Sequence, residues 1–188
     1  ATRREALADL QAGVTRATRL AEQLLALARS EPDGQTQTNA IDLHALLADC
    51  VLTYAPLAQQ RGVDLGIEKS DAATVNGNAE ALRVMFNNLV DNAAKYTPQG
   101  GRVDVSLVVE DGHPVVRIAD SGSGIPPAER ERVFDRFYRA GASANRVRTD
   151  VTGTGLGLAI VRRIALQHGA SVTLGDSPAG GLLVSVRF

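Results

Sequence analysis

The chain has 188 residues, a formal net charge of −1 and 44% hydrophobic residues, which suits one medium domain with an appendage. It has no basic block and no apolar run near the roughly 18–20 residues that span a bilayer, so nothing points to nucleic acid or to a charged membrane surface. A single cysteine, Cys50, excludes an internal disulfide and a cysteine-rich metal site, and with no signal peptide in view a reducing, cytoplasmic setting is expected.

Residues 3–30 carry Leu7, Leu10, Val14, Ala17, Ala21, Leu24 and Ala28 at steps of three and four. This predicts an amphipathic helix, packed either on its own domain or against a partner helix of a hairpin or bundle. The pattern is already under way at Ala1, so the chain reads as a piece of something longer. Glu31-Pro32-Asp33-Gly34 ends the helix, and the polar stretch through Asn39 reads as a linker.

Beyond it, short strands are expected at 40–43, 63–68 and 74–76, with a helix over 44–60 between the first two. Residues 79–96 predict a strong helix, ended by Thr97-Pro98-Gln99-Gly100-Gly101. Val103, Val105, Leu107 and Val109 alternate with mostly polar residues, Asp111-Gly112 makes a tight turn, and 115–119 returns as the second strand of a hairpin. The chain is then loop-rich to Gly155. A helix over 156–168 and a last hairpin, 171–174 with 182–188, complete it. Interleaved strands and helices with recurring hairpins predict an α+β fold, a mixed sheet with helices layered on one face.

Four segments carry chemistry. On the 79–96 helix, Asn88, Asn92, Lys95 and Tyr96 share a sector of about 100°, bordering the apolar sector of Leu82, Met85, Leu89 and Ala93. Mid-helix asparagines beside a core need partners. They either bond neighbouring strands and loops or offer an amide oxygen to a hard cation such as Mg²⁺, which takes few protein ligands and completes its shell with phosphate and water. In the second case Asn92 is the ligand, Asn88 a neighbour, Lys95 a phosphate partner and Tyr96 a flat surface near a base. Asn87 points about 100° away from Asn88 and is left out.

Asp120-Ser121-Gly122-Ser123-Gly124-Ile125-Pro126 follows a strand. It is either a plain turn or one that holds a carboxylate to accept from the exocyclic amine of adenine, where guanine presents an oxygen. Phe134-Asp135-Arg136-Phe137-Tyr138-Arg139 precedes a long Gly, Ala, Ser and Asn loop bearing Arg146 and Arg148. Such a loop is a lid or a disordered segment; its aromatics pin its base, and Arg139 is placed to reach phosphate. Gly153-Thr154-Gly155-Leu156-Gly157-Leu158 opens a helix, so its bare backbone and the helix N-terminus form a phosphate cradle, unless the glycines serve only helix start and packing.

In this order the segments resemble the nucleotide-binding boxes of sensor histidine kinases. Asn88-Leu89-Val90-Asp91-Asn92-Ala93-Ala94-Lys95-Tyr96-Thr97-Pro98 is similar to the N box, and Asp120 to Ile125 to the G1 box. Phe134 to Arg139 is similar to the F box, and Gly153 to Leu158 to the G2 box. The resemblance covers Asn39 to Phe188 and implies the two-layer Bergerat (GHKL) sandwich shared with gyrase, Hsp90 and MutL, with ATP under a lid. By resemblance, Mg²⁺ is held by Asn92, adenine is read by Asp120, and ATP contacts extend to Asn88, Lys95, Tyr96, Gly122, Gly124, Ile125, Phe137, Arg139, Gly153, Thr154, Gly155, Leu156 and Gly157.

The hydrolytic relatives carry a glutamate four residues before the metal-binding asparagine; here that position is Asn88, which cannot act as a general base. Residues 1–31 resemble the second helix of the dimerisation and phosphotransfer hairpin, 32–39 the linker and 40–188 the catalytic domain. The first helix, with its acceptor histidine, is absent from this sequence. His44 is followed by Ala45, His113 lies in a turn, and His168 ends a helix as a cation against the dipole, so none matches the acceptor. The implied function is therefore the ATP-binding fragment of a two-component sensor kinase without autophosphorylation in cis. Its partners are the parent's hairpin and a response regulator, and its location is the cytoplasmic side of an inner-membrane sensor. A hydrolytic ATPase, a serine-directed anti-sigma kinase and a nucleotide-free interaction module are the alternatives.

Overall fold

A computed structural model of the chain describes residues 39–140 and 154–188. The helix expected over 3–30, linker residues 32–38, Arg146, Arg148 and Gly153 lie outside the described residues, while the last linker residue, Asn39, opens the first strand.

Side-chain caps set the helix starts. Asp42 accepts from the N–H groups of His44 (2.9 Å) and Ala45 (3.2 Å), which satisfies two orphan donors and begins α1, Leu43–Gln60. Asn78 does the same for α2, Ala79–Tyr96, accepting from Ala81 N–H at 2.9 Å. This helix stops at Thr97, whose extended backbone is what a following proline demands.

The strands are β1 (Asn39–Asp42), β2 (Asp64–Ser70), β3 (Thr74–Gly77), β4 (Arg102–Glu110), β5 (His113–Asp120), β6 (Ser171–Asp176) and β7 (Leu182–Arg187). Five of them form one sheet in the order β2-β4-β5-β7-β6, parallel at β2–β4 and antiparallel elsewhere. This is the expected mixed sheet, and two of the expected short strands stand apart from it. β1 and β3 form a separate antiparallel ribbon, pairing Asn39 with Gly77 and Asp42 with Thr74. These are the two chain segments that enter α1 and α2, so the ribbon ties the helix starts together. The tight turn expected at Asp111-Gly112 is present, with φ of 52° and 78°.

Alternation decides the layers. Val103, Val105 and Leu107 of β4, Val116 and Ile118 of β5, and Val184 and Val186 of β7 are buried beneath the helices. Polar residues such as Asp104, Ser106, Arg117 and Ser185 take the alternate positions. α2 lies in the middle of the helical layer, packed on α1 and on α3 (Gly157–Gln167). Its Leu82, Met85, Phe86 and Leu89 are buried, each contributing about 1.5–3 kcal/mol by leaving water. The segment expected to be loop-rich includes two single turns of 3₁₀ helix, Pro127–Glu129 and Arg132–Phe134.

His168 departs from the expected cation at a helix end. Its Nε2 accepts from Asn78 N–H at 3.1 Å while Nδ1 lies 2.7 Å from the Ile164 carbonyl. Accepting at one nitrogen and donating at the other makes it the neutral Nδ1–H tautomer. The imidazole thereby joins the end of α3 to the start of α2. A side chain on Gly77 would collide with the imidazole ring, so glycine is required there.

Candidate functional site

Asp120 continues the inward series of Val116 and Ile118, and its carboxyl is therefore carried under the helices, 5% exposed. Its Oδ1 accepts two backbone N–H groups, from Gly122 (2.8 Å) and Leu182 (3.1 Å), and no described residue bonds Oδ2. Burial pushes its pKa above the ordinary value, and the Leu182 and Gly122 hydrogen bonds pull it part of the way back. One oxygen is fixed by the fold and the other is left for something else.

The turn is held from two sides. A Cβ on Gly122 would lie 2.6 Å from the Tyr96 carbonyl, so this glycine lets the end of α2 approach. A Cβ on Gly181 would overlap Asp120 Oδ1 and the Gly122 nitrogen. Gly181 thus brings the Leu182 N–H to Asp120, a role not drawn from the sequence. The signal was present as a second glycine beside Gly180, whose φ of 95° serves the hairpin turn alone. Gly124, at φ 64°, rests against the Gly181 carbonyl, and Ile125 follows it.

On α2, Asn88 Nδ2 donates to the Val84 carbonyl at 2.8 Å. A Cβ on Gly157 would be 3.2 Å from Asn88 Oδ1 and 3.4 Å from Asn92 Nδ2. Both amides therefore face the first turn of α3, and glycine keeps the space between them open. Asn92 bonds no described residue. Lys95 is turned to Asp91, with which it forms a largely buried i,i+4 ion pair, so its charge is already engaged. Tyr96, the last residue of α2, is 38% exposed. Asn87, about 100° around the helix from Asn88, has a buried Oδ1 without a partner among the described residues.

Leu156 occupies the N-cap of α3 with no side-chain cap, and its own N–H donates to Thr154 Oγ1 at 3.3 Å. The first-turn N–H groups are left to water or an anion. Gly155 has φ 69°, and a Cβ there would be 2.7 Å from the Phe137 carbonyl carbon. Phe137 is 69% exposed, while Phe134 is held under Arg162, whose guanidinium is 5.3 Å from the ring centre. Tyr138 donates to Glu129 at 2.9 Å beneath the Arg132 guanidinium. Phe134 and Tyr138 therefore pin the segment's base, Phe137 does not, and Arg139 is exposed. Buried Cys50, its thiol pushed up to about 11 by desolvation, is no nucleophile.

These residues fit a magnesium nucleotide. A buried carboxylate with a spare acceptor marks one end, an uncapped helix N-terminus the other, and the Asn92 amide, which bonds no described residue, lies between. The HATPase_c family, described as "Histidine kinase-, DNA gyrase B-, and HSP90-like ATPase", matches residues 77–188. The chain belongs to this family. Within the HATPase_c family it is similar to the sensor protein QseC of Salmonella typhi, 38% identical over all of this chain and 40% of that protein. It is also 33% identical to the signal transduction histidine-protein kinase BaeS of Escherichia coli over 98% of this chain and 39% of that protein. Among solved structures, the cytoplasmic segment of histidine kinase QseC matches with TM-score 0.63 at 30% identity, covering 93% of each chain. Full-length ShkA in complex with AMPPNP matches all of this chain, and 38% of its own, at TM-score 0.79 and 27% identity. The chain spans about 40% of the length of these curated relatives, and its domain is the ATP-binding catalytic domain of sensor histidine kinases. No helix among the described residues is long and apolar enough to cross a membrane.

Proposed function

We propose that this chain binds MgATP between α2 and α3 and that its parent protein passes the γ-phosphate to a histidine on a helical hairpin. A response-regulator aspartate would receive it next. The observation that carries this reading is Asp120, whose Oδ2 is the one carboxylate oxygen left over after two backbone donors take Oδ1. It suits the adenine amino group and mismatches guanine. Tyr96 and Ile125 border the base, and the first turn of α3 with Gly155 and Gly157 receives the phosphates. Asn92, with Asn88 beside it, would hold Mg²⁺, which when bound neutralises phosphate charge. Lys95 would reach phosphate only by leaving Asp91.

Asn88 favours transfer over hydrolysis, since an amide cannot take a proton from water. Residues 1–31 are assigned to the second hairpin helix, 32–39 to the linker and 40–188 to the catalytic domain, on the cytoplasmic side of a membrane sensor. The test mixes the chain with γ-labelled ATP, Mg²⁺ and the acceptor hairpin as a separate polypeptide. Acid-labile label on the hairpin supports the proposal; steady phosphate release with an unlabelled hairpin contradicts it.

A further inference from the structure

Two loops border Asp120: 121–126, and 177–181 between β6 and β7. At the inner end they are joined through Asp120 Oδ1, which accepts from Gly122 in one and Leu182 just past the other. At the outer end a single side chain joins them. Arg130 Nε donates to the Ile125 carbonyl at 3.0 Å, and its Nη2 pairs with Asp176 Oδ1 at the end of β6. The Arg130 side chain is 18% exposed, while that of Asp176 is 84% exposed. The arginine is thus packed between the loops, and the carboxylate closes over it from solvent.

We infer that Arg130 is a positioning residue for the nucleotide base, clamping the Ile125 carbonyl to the end of β6 and so fixing the wall opposite Asp120. This rests on the ATP-site reading above. The two bonds leave from different nitrogens of one rigid plane, one toward a backbone carbonyl and one toward a carboxylate. An ammonium offers a single point of attachment and cannot span both. Freed from the clamp, the Ile125 carbonyl loses its side-chain donor, and Gly124 beside it, with φ of 64°, is the flexible point of the loop, while Pro126 stays anchored by the Glu129 N–H. The base wall then loosens while Asn92 and the start of α3, on other elements, are untouched.

The experiment titrates the unaltered chain, Arg130→Met, Arg130→Lys and Asp176→Asn with ATP and with adenosine, each displacing a fluorescent ATP analogue in the presence of Mg²⁺. A base-end lesion weakens both ligands by the same factor, about tenfold for Arg130→Met, because the phosphate contacts are preserved. Arg130→Lys is expected to bind as poorly as Arg130→Met, and Asp176→Asn to show a smaller loss in the same direction. The clamp is overturned if Arg130→Lys restores full affinity, if Arg130→Met binds as the unaltered chain does, or if ATP weakens while adenosine does not. Failure of the unaltered chain to bind ATP overturns both this inference and the proposed function. Binding by the unaltered chain with indifferent Arg130 variants overturns the clamp alone.

Discussion

The N–H of Phe137 donates to the Gly155 carbonyl at 2.9 Å, and both residues hold positive φ, 65° and 69°. The two flanks of the segment between them therefore meet at one hydrogen bond, with a phenylalanine in a conformation that favours glycine. Such local cost is held in place by surrounding structure and recurs at functional sites. Gly155→Ala places a methyl against the Phe137 backbone and adds left-handed strain. We expect a loss of about 1–3 kcal/mol in urea unfolding together with weakened ATP binding, because the turn feeds the start of α3.

Asp120→Asn separates the fold's use of this side chain from the ligand's. The amide oxygen can keep the Gly122 and Leu182 hydrogen bonds, but an NH₂ replaces Oδ2 and faces the adenine amino group. ATP affinity should fall about tenfold or more, with no loss of stability in the nucleotide-free protein.

The pH dependence has a definite sign. Burial raises the Asp120 pKa above 3.8, so the folded state holds this proton more tightly than the unfolded chain. Its contribution to stability is thus full below 3.8 and lost as pH rises through the raised folded value. ATP affinity runs the other way, falling as pH drops through that value and the acceptor is protonated. Unfolding and ATP titrations of the unaltered chain and Asp120→Asn across acidic pH check both trends, which the variant should lack.

Gly181→Ala tests a contact of pure geometry. The added methyl would overlap Asp120 Oδ1, so the Leu182 N–H must move away. A loss of about 1–3 kcal/mol is expected, with ATP affinity falling as in Asp120→Asn. Gly180→Ala should cost stability through its φ of 95° alone and leave ATP affinity nearly unchanged.

Gly77 and His168 should behave as one unit. Gly77→Ala forces the imidazole away from Asn78, and His168→Ala leaves the Asn78 N–H without its partner. The double variant has room for the methyl, so its loss should be smaller than the sum of the two single losses by about 1 kcal/mol. Additivity in urea unfolding within about 0.3–0.5 kcal/mol would show that the residues do not share this contact.

Much of this was legible in the sequence because the signals were local. The 79–96 helix follows from its apolar period and its proline stop, and the asparagine sector follows from 100° per residue; both match α2. Asp120 stood out because it ends an alternating strand and begins a glycine turn. What escaped depends on approach between distant segments. Gly181 matters only because β7 returns beside β5, and Arg130 only because β6 ends across from Ile125. The β1–β3 ribbon needed two four-residue strands to find each other rather than the main sheet. Lys95 could have been paired with Asp91 from their spacing alone, and His168 looked like a cation until Asn78 was placed against it.

The most direct test of the central claim is a calorimetric titration of the chain with ATP, with and without Mg²⁺, alongside Asn92→Ala and Asp120→Ala. The account predicts saturable 1:1 binding by the unaltered chain, tightened by Mg²⁺. Asn92→Ala should lose the Mg²⁺ enhancement, and Asp120→Ala should lose the preference for ATP over GTP. Binding by both variants as strong as that of the unaltered chain, or no ATP binding at all, would contradict it.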